Sequence, residues 1–136
     1  MTKLILVRGI PGSGKSTFAK QFKDCVHVES DQFCMQGDKF VWNEAEHKAN
    51  QLRCWNMTKD NLERGKDVVV AATFTTKDKI DPYIALGHSC NAQVLVFRMT
   101  GEFKNVHEVA DEKVGRYKAS MVDIDGEICI CPPKYQ

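Results

Sequence analysis

Three stretches of the chain are largely apolar: Leu4-Ile5-Leu6-Val7, Asp67 to Ala72 after its first residue, and Ala92 to Arg98 apart from Gln93 and the final arginine. Unbroken apolar runs of this length mark strands buried on both faces, as in parallel sheets. Val26-His27-Val28-Glu29 and Ile128 to Cys131 are two shorter strand candidates. Helical stretches separate them. The first is expected from Lys15 to about Phe22. A longer one opens at Asn43, with Glu46 in capping-box spacing, and closes at Gly65. Ala45, Ala49, Leu52, Trp55 and Leu62 fall close to one face of that long helix, which predicts a core-facing stripe. A third segment runs from Thr73-Phe74-Thr75-Thr76 to about Leu86 and carries Pro82, where a kink is expected. A fourth covers about 110–121, with Val114, Tyr117 and Met121 turned inward. Gly37-Asp38 marks a turn in the polar stretch before the long helix, and Pro132 to Gln136 reads as a short tail. Strands alternating with helices predict an α/β fold of three layers, a mostly parallel five-stranded sheet covered on both faces. No repeat, low-complexity tract or linker divides residues 1–136, so one domain is expected.

Composition narrows the classes of function. Nineteen basic residues against eighteen acidic ones leave almost no net field, so a polyanion would need a local patch to hold it. No apolar stretch approaches a membrane span, and Met1 leads straight into a strand without a signal-peptide layout. A soluble protein of the cytoplasm is the expectation, the host cytoplasm for a phage-encoded chain. The six cysteines, Cys25, Cys34, Cys54, Cys90, Cys129 and Cys131, are scattered, and none of the four histidines stands at a zinc-ligand spacing. They are read as free thiols, with Cys129 and Cys131 on one face of a strand as small buried hydrophobes.

Chemistry enters directly after the first apolar run. Gly9 to Thr17 complete the phosphate-binding pattern GxxxxGK[ST]. A chain that curls around phosphate oxygens must turn several N–H groups inward, and Gly12 and Gly14 permit the backbone angles this needs. The expected cradle is Gly12, Ser13, Gly14, Lys15, Ser16 and Thr17. In it Lys15 sets an ammonium against the β- and γ-phosphates, Ser16 offers a hydroxyl to Mg2+, and Thr17 offers one near the α-phosphate. The following helix directs its electropositive amino terminus at the same anion. A nucleoside triphosphate with Mg2+ is therefore the first ligand to consider.

In open parallel sheets ligands lie beyond the carboxyl ends of the strands, which here carry the glycine-rich loop, Ser30-Asp31 and Thr73. A kinase needs a carboxylate at the acceptor hydroxyl, and Asp31 is the best-placed candidate; an N-cap for the following turn is its other reading. Gly9–Thr17, Ser30-Asp31-Gln32-Phe33 and Lys104-Asn105-Val106-His107 together resemble the small P-loop kinases related to polynucleotide 5′-hydroxyl kinases. The chain resembles in particular the compact bacteriophage and NEDD4-binding-protein-2-like members.

That resemblance implies a P-loop NTPase fold of the kinase type and transfer of the ATP γ-phosphate to a hydroxyl. Lys15, Asp31 and Lys104 would be the catalytic residues, with Asp31 as general base and Lys104 as the lid cation, where the family usually has arginine. Lysine keeps the charge without the bidentate geometry, and Arg98 and Arg116 are alternatives. The chain departs from the family pattern at Cys34, where an arginine is common, and at Ala71-Ala72-Thr73, where an aspartate is common. Without that acid the metal would depend on Ser16, with Thr73 or Asp31 assisting through water. His107 is read as a residue that holds the lid. Trp42, Trp55 and Phe40 are read as core aromatics rather than a base-stacking surface, and Lys39 as a substrate-facing charge. The expected acceptor is the 5′-hydroxyl of a polynucleotide, single-stranded or at a 5′ end. The alternatives are a nucleoside, nucleotide or other small hydroxyl compound, or an ATP-binding regulatory protein with little catalysis.

Overall fold

The computed structural model describes residues 1–29, 35–36, 39–40, 44–101, 115–116 and 119–131. Five strands form one sheet: β1 (Lys3–Arg8), β2 (Val26–Glu29), β5 (Val68–Ala72), β6 (Gln93–Met99) and β7 (Ile128–Ile130), in the order β2-β5-β1-β6-β7. Every pairing in it is parallel, so the mostly parallel expectation becomes an all-parallel sheet. β3 (Met35–Gln36) and β4 (Lys39–Phe40) pair antiparallel as a separate two-stranded sheet, and the expected Gly37-Asp38 turn lies outside the described residues. The helices are α1 (Lys15–Ala19), α2 (Glu44–Glu63) and α3 (Lys77–Ser89). Helical backbone at 115–116 and 119–120 matches part of the expected fourth helix. Its inward positions Val114 and Tyr117, and the tail from Pro132, lie outside the described residues.

β1 is the central strand. It pairs with β5 on one side and β6 on the other, and Leu4, Ile5, Leu6 and Val7 are at most 3% exposed. Burial of each such side chain contributes about 1.5–3 kcal/mol. Alternation along the strand divides the core in two. Leu4 and Leu6 join Val68, Val70, Ile80 and Leu86 on one face, while Ile5 and Val7 join Ala19, Val69, Ala71 and Met99 on the other. Phe18, Phe22 and Phe97 cluster edge-on and tilted against this second layer. α3 packs so close that a Cβ on Gly87 would stand 2.4 Å from Val94 Cγ2.

The helices depart from expectation in instructive ways. α1 ends at Ala19, because Gln21 and Phe22 bond to carbonyls only three residues back. α3 continues through Pro82 to Ser89. The core stripe of α2 matches apolar spacing only in part: Leu62 is buried as expected, whereas Ala49 is exposed and Leu52 is 61% exposed. Asn50, Cys54 and Thr58, which precede Leu62 at a spacing of four, are buried with it. Polar side chains can face a core when their hydrogen bonds are satisfied. Thr58 donates to the Cys54 carbonyl and Asn50 accepts from Arg53, which leaves their carbon atoms to pack. Trp55 does lie against the core, its indole N–H on the Pro82 carbonyl and Lys59 over its ring. The expectation for Cys129 and Cys131 also fails, since both are exposed on or beside the edge strand β7. Five described cysteines are free thiols, as expected.

Arg8 ends β1 with no exposure at all. Its guanidinium donates to the carbonyls of Phe74 (3.0 Å) and Thr75 (3.2 Å), and to Glu127 Oε1 at 2.8 Å. Glu127 in turn accepts from the Ile124 amide and lies 3.7 Å from Arg98, which pairs with Asp123. One buried charge thus holds the segment after β5 and the turn before β7 to the end of the central strand. Removing one member of such a pair strands the other. Arg8→Met is expected to lower the unfolding free energy by roughly 3–5 kcal/mol in urea titration, and adding Glu127→Gln should recover part of that loss.

Candidate functional site

The site begins where β1 stops. Gly12 (φ 82°) and Gly14 (φ 96°) adopt the left-handed conformation, as their place in the loop requires. The Ser13 amide donates to the Ile10 carbonyl, and the Lys15 ammonium reaches back to the same oxygen at 3.2 Å. Gly14 is the residue before α1, and no side chain caps the helix there. The first-turn N–H groups of Lys15, Ser16 and Thr17 have no acceptor within the helix. The backbone therefore presents donors of the kind a phosphate group takes.

Ser13 is fully buried, and among the described residues its hydroxyl has no hydrogen-bond partner. It packs beneath Gly9: a Cβ there would lie 2.4 Å from Ser13 Oγ and 3.0 Å from the Met99 carbonyl oxygen. The first glycine of the motif is thus a packing requirement that joins the loop to β6. Gly9 also donates its amide to the Thr73 carbonyl at 3.3 Å, which ties the loop to the segment after β5. In that segment Phe74 has φ 41°, rare for an aromatic residue, with its ring buried against Tyr83. Arg8 holds the carbonyls of Phe74 and Thr75 in this conformation. Burial raises the Tyr83 phenol well above its ordinary pKa, so it serves here as neutral packing.

Across the loop stands a residue that motif reasoning passed over. Ser16 Oγ donates to Glu29 Oε1 at 2.5 Å, and Glu29 Oε2 lies 3.2 Å from His27 Nε2. Glu29 ends β2 level with Ala71 of β5, and its side chain is 12% exposed. The end of β5 reads Ala71-Ala72-Thr73, so this carboxylate comes from the neighbouring strand. Period-two alternation puts His27 and Glu29 on the α1 side of β2, a signal present in the sequence.

Of the expected site residues, Gly12 to Thr17 are brought together as one loop and helix start. Asp31, Lys104, Cys34, His107 and Trp42 lie outside the described residues. Of the alternative lid cations, Arg98 is engaged by Asp123 and Glu127, and Arg116 is exposed. Among the described residues no group of three His, Cys, Asp or Glu could by itself hold a metal ion. Among the same residues no helix is long and apolar enough to cross a membrane.

A parallel sheet with a glycine loop between its central strand and a helix is the P-loop α/β architecture. The AAA domain family model (AAA_33) matches residues 4–119, and the chain belongs to that family. It is 28% identical over 151 residues to the uncharacterized protein PM0531 of Pasteurella multocida (strain Pm70), covering 97% of this chain and 84% of that one. Its fold is similar to a sugar kinase from Janibacter sp. HTCC2649, with TM-score 0.64 and 14% identity over 97% of this chain and 85% of the other. The Mycobacterium tuberculosis APS kinase CysC, in complex with AMPPNP and APS, superposes with TM-score 0.62 and 13% identity over 98% and 90% of the two chains. A chain of the Pnkp1/Rnl/Hen1 RNA repair complex gives TM-score 0.62 and 20% identity over 92% of this chain and 40% of that one. The fold is that of P-loop kinases.

The contact beneath Gly9 is open to test. Gly9→Ala is expected to cost about 1–3 kcal/mol in urea unfolding by overpacking Ser13, and a second change, Ser13→Gly, should recover part of it.

Proposed function

We propose that the protein is an ATP-dependent phosphotransferase that moves the γ-phosphoryl group to a hydroxyl acceptor. The observation that carries this reading is the uncapped start of α1, with Gly12 and Gly14 curled before it and the Ser16 hydroxyl beside a carboxylate. Those donors fit a triphosphate with a divalent cation. The N–H groups of the loop and of Lys15, Ser16 and Thr17 bind phosphate oxygens, and Lys15 leaves the Ile10 carbonyl to meet the β- and γ-phosphates. Ser16 would hold Mg2+, whose charge would offset that of the phosphates.

Asp31 follows β2 by two residues and acts as general base in this reading. As the acceptor oxygen bonds to the γ-phosphorus, its proton passes to the Asp31 carboxylate, the bond from phosphorus to the β–γ bridging oxygen breaks, and ADP leaves. Lys104 supplies positive charge to the transferring group. The 5′-hydroxyl of a polynucleotide is the acceptor we place first, supported by the motif resemblance and by the fold shared with a chain of an RNA repair complex. Likeness to a sugar kinase and to an APS kinase favours a small hydroxyl compound as the second reading.

Incubation with γ-labelled ATP, a 5′-hydroxyl oligonucleotide and a panel of nucleosides and sugars separates the two. Label on the oligonucleotide is the expected result; label on a small compound alone selects the second reading, and label on none removes both. Asp31→Ala should lower kcat by about 10²–10⁴-fold with nucleotide affinity unchanged, whereas Lys15→Ala should abolish binding. If Asp31→Ala leaves the rate unaltered, the general-base role is wrong.

A further inference from the structure

The Ser16–Glu29 hydrogen bond has a direction that bears on the metal. A hydroxyl carries one O–H donor and two acceptor lone pairs. When Ser16 gives a lone pair to a cation its proton must still go elsewhere, and Glu29 Oε1, 2.5 Å away, already accepts it. The second carboxylate oxygen lies 3.2 Å from His27 Nε2, on the same face of β2. Groups that hydrogen-bond a metal ligand from behind orient it and raise its basicity. Glu29 is largely withdrawn from water, its pairing level with the small Ala71 leaves it room on the α1 side, and the end of β5 carries no carboxylate of its own.

We propose that Glu29 is the positioning residue for the metal–nucleotide site, acting through Ser16. Glu29 fixes the Ser16 rotor so that a lone pair faces the cation, and its negative charge strengthens the oxygen as a ligand. This inference rests on the phosphotransferase reading, yet the two fail separately.

The test is the metal dependence of nucleotide binding by the full chain. The dissociation constant of a non-hydrolysable ATP analogue is measured in EDTA and in saturating Mg2+, and the ratio of the two reports the coupling. Glu29→Ala and Glu29→Gln are each expected to reduce that ratio by about 10–100-fold, with binding in EDTA unchanged or tighter. Ser16→Ala should reduce it to a similar extent. Because Glu29 acts through Ser16, the double variant Ser16→Ala/Glu29→Ala should lose no more than either single one. Additive losses, or a wild-type ratio in Glu29→Ala, overturn the proposal. So does an equal weakening in both buffers, which would mark a merely structural role. If the wild-type chain binds the analogue in neither buffer, the phosphotransferase reading falls and takes this one with it; if it binds in EDTA with no gain from Mg2+, this one alone falls.

Discussion

Everything at the candidate site depends on β1 being immobile at its carboxyl end. A loop that must offer several backbone donors in fixed directions can do so only if the strand that launches it does not shift. Hydrogen-bonded neighbours on both edges and apolar layers on both faces supply that restraint over Leu4 to Val7. Beyond Val7 the apolar layers give out, and the last residue of the strand is held by charge. Arg8 bonds to two carbonyls and a carboxylate that are distant in sequence. A buried ion pair adds little net stability over a well-packed apolar pair, but its directional bonds define which segments meet. Here they join the segment after β5, the end of β1 and the turn before β7.

The strand order explains why the loop can be braced from several sides. β1 leads through α1 to β2, which lies beyond β5, so the crossover carries α1 over β5 and brings the end of β2 within reach of the helix start. Ser16, one residue into α1, then meets Glu29 at the end of β2. Gly9 meets Thr73 on the β5 side and packs with Ser13 against Met99 on the β6 side. Each contact uses a residue adjacent to the end of a parallel strand. This is why ligands of open parallel sheets collect at that edge.

Much of this was legible in the sequence, and the exceptions share a cause. The apolar runs identified the three central strands, β1, β5 and β6, because a strand buried on both faces has no other composition available, and shorter stretches marked the edge strands β2 and β7. The motif identified the loop because positive φ at Gly12 and Gly14 is a requirement of its shape. What apolar spacing could not show was the inner face of α2, where Asn50 and Thr58 are buried through local hydrogen bonds that leave no hydrophobic signature. Cys129 and Cys131 failed for a related reason, since an edge strand leaves exposed what a central one would cover. The left-handed Phe74 is invisible to pattern because its conformation is held by Arg8, which lies 66 residues away. Glu29 was passed over although its place on β2 was read correctly, because a partner across a crossover appears only once the strand order is known.

These two distant contacts divide the work of holding the site. Arg8 acts on the face of the sheet where α2 and α3 pack, and its partners are main-chain carbonyls and a buried acid, so it fixes backbone position. Glu29 acts on the α1 face, and its partner is a single hydroxyl at the start of that helix, so it fixes one rotor. The first is deeply buried, where any change disturbs neighbouring packing. The second is also largely withdrawn from water, but it engages one hydroxyl beside the loop rather than the packed core. A sheet end stabilised in this way keeps its backbone donors constant while leaving one oxygen, that of Ser16, under the control of a nearby charge. Rigidity and adjustability are thereby assigned to opposite faces of the same parallel sheet.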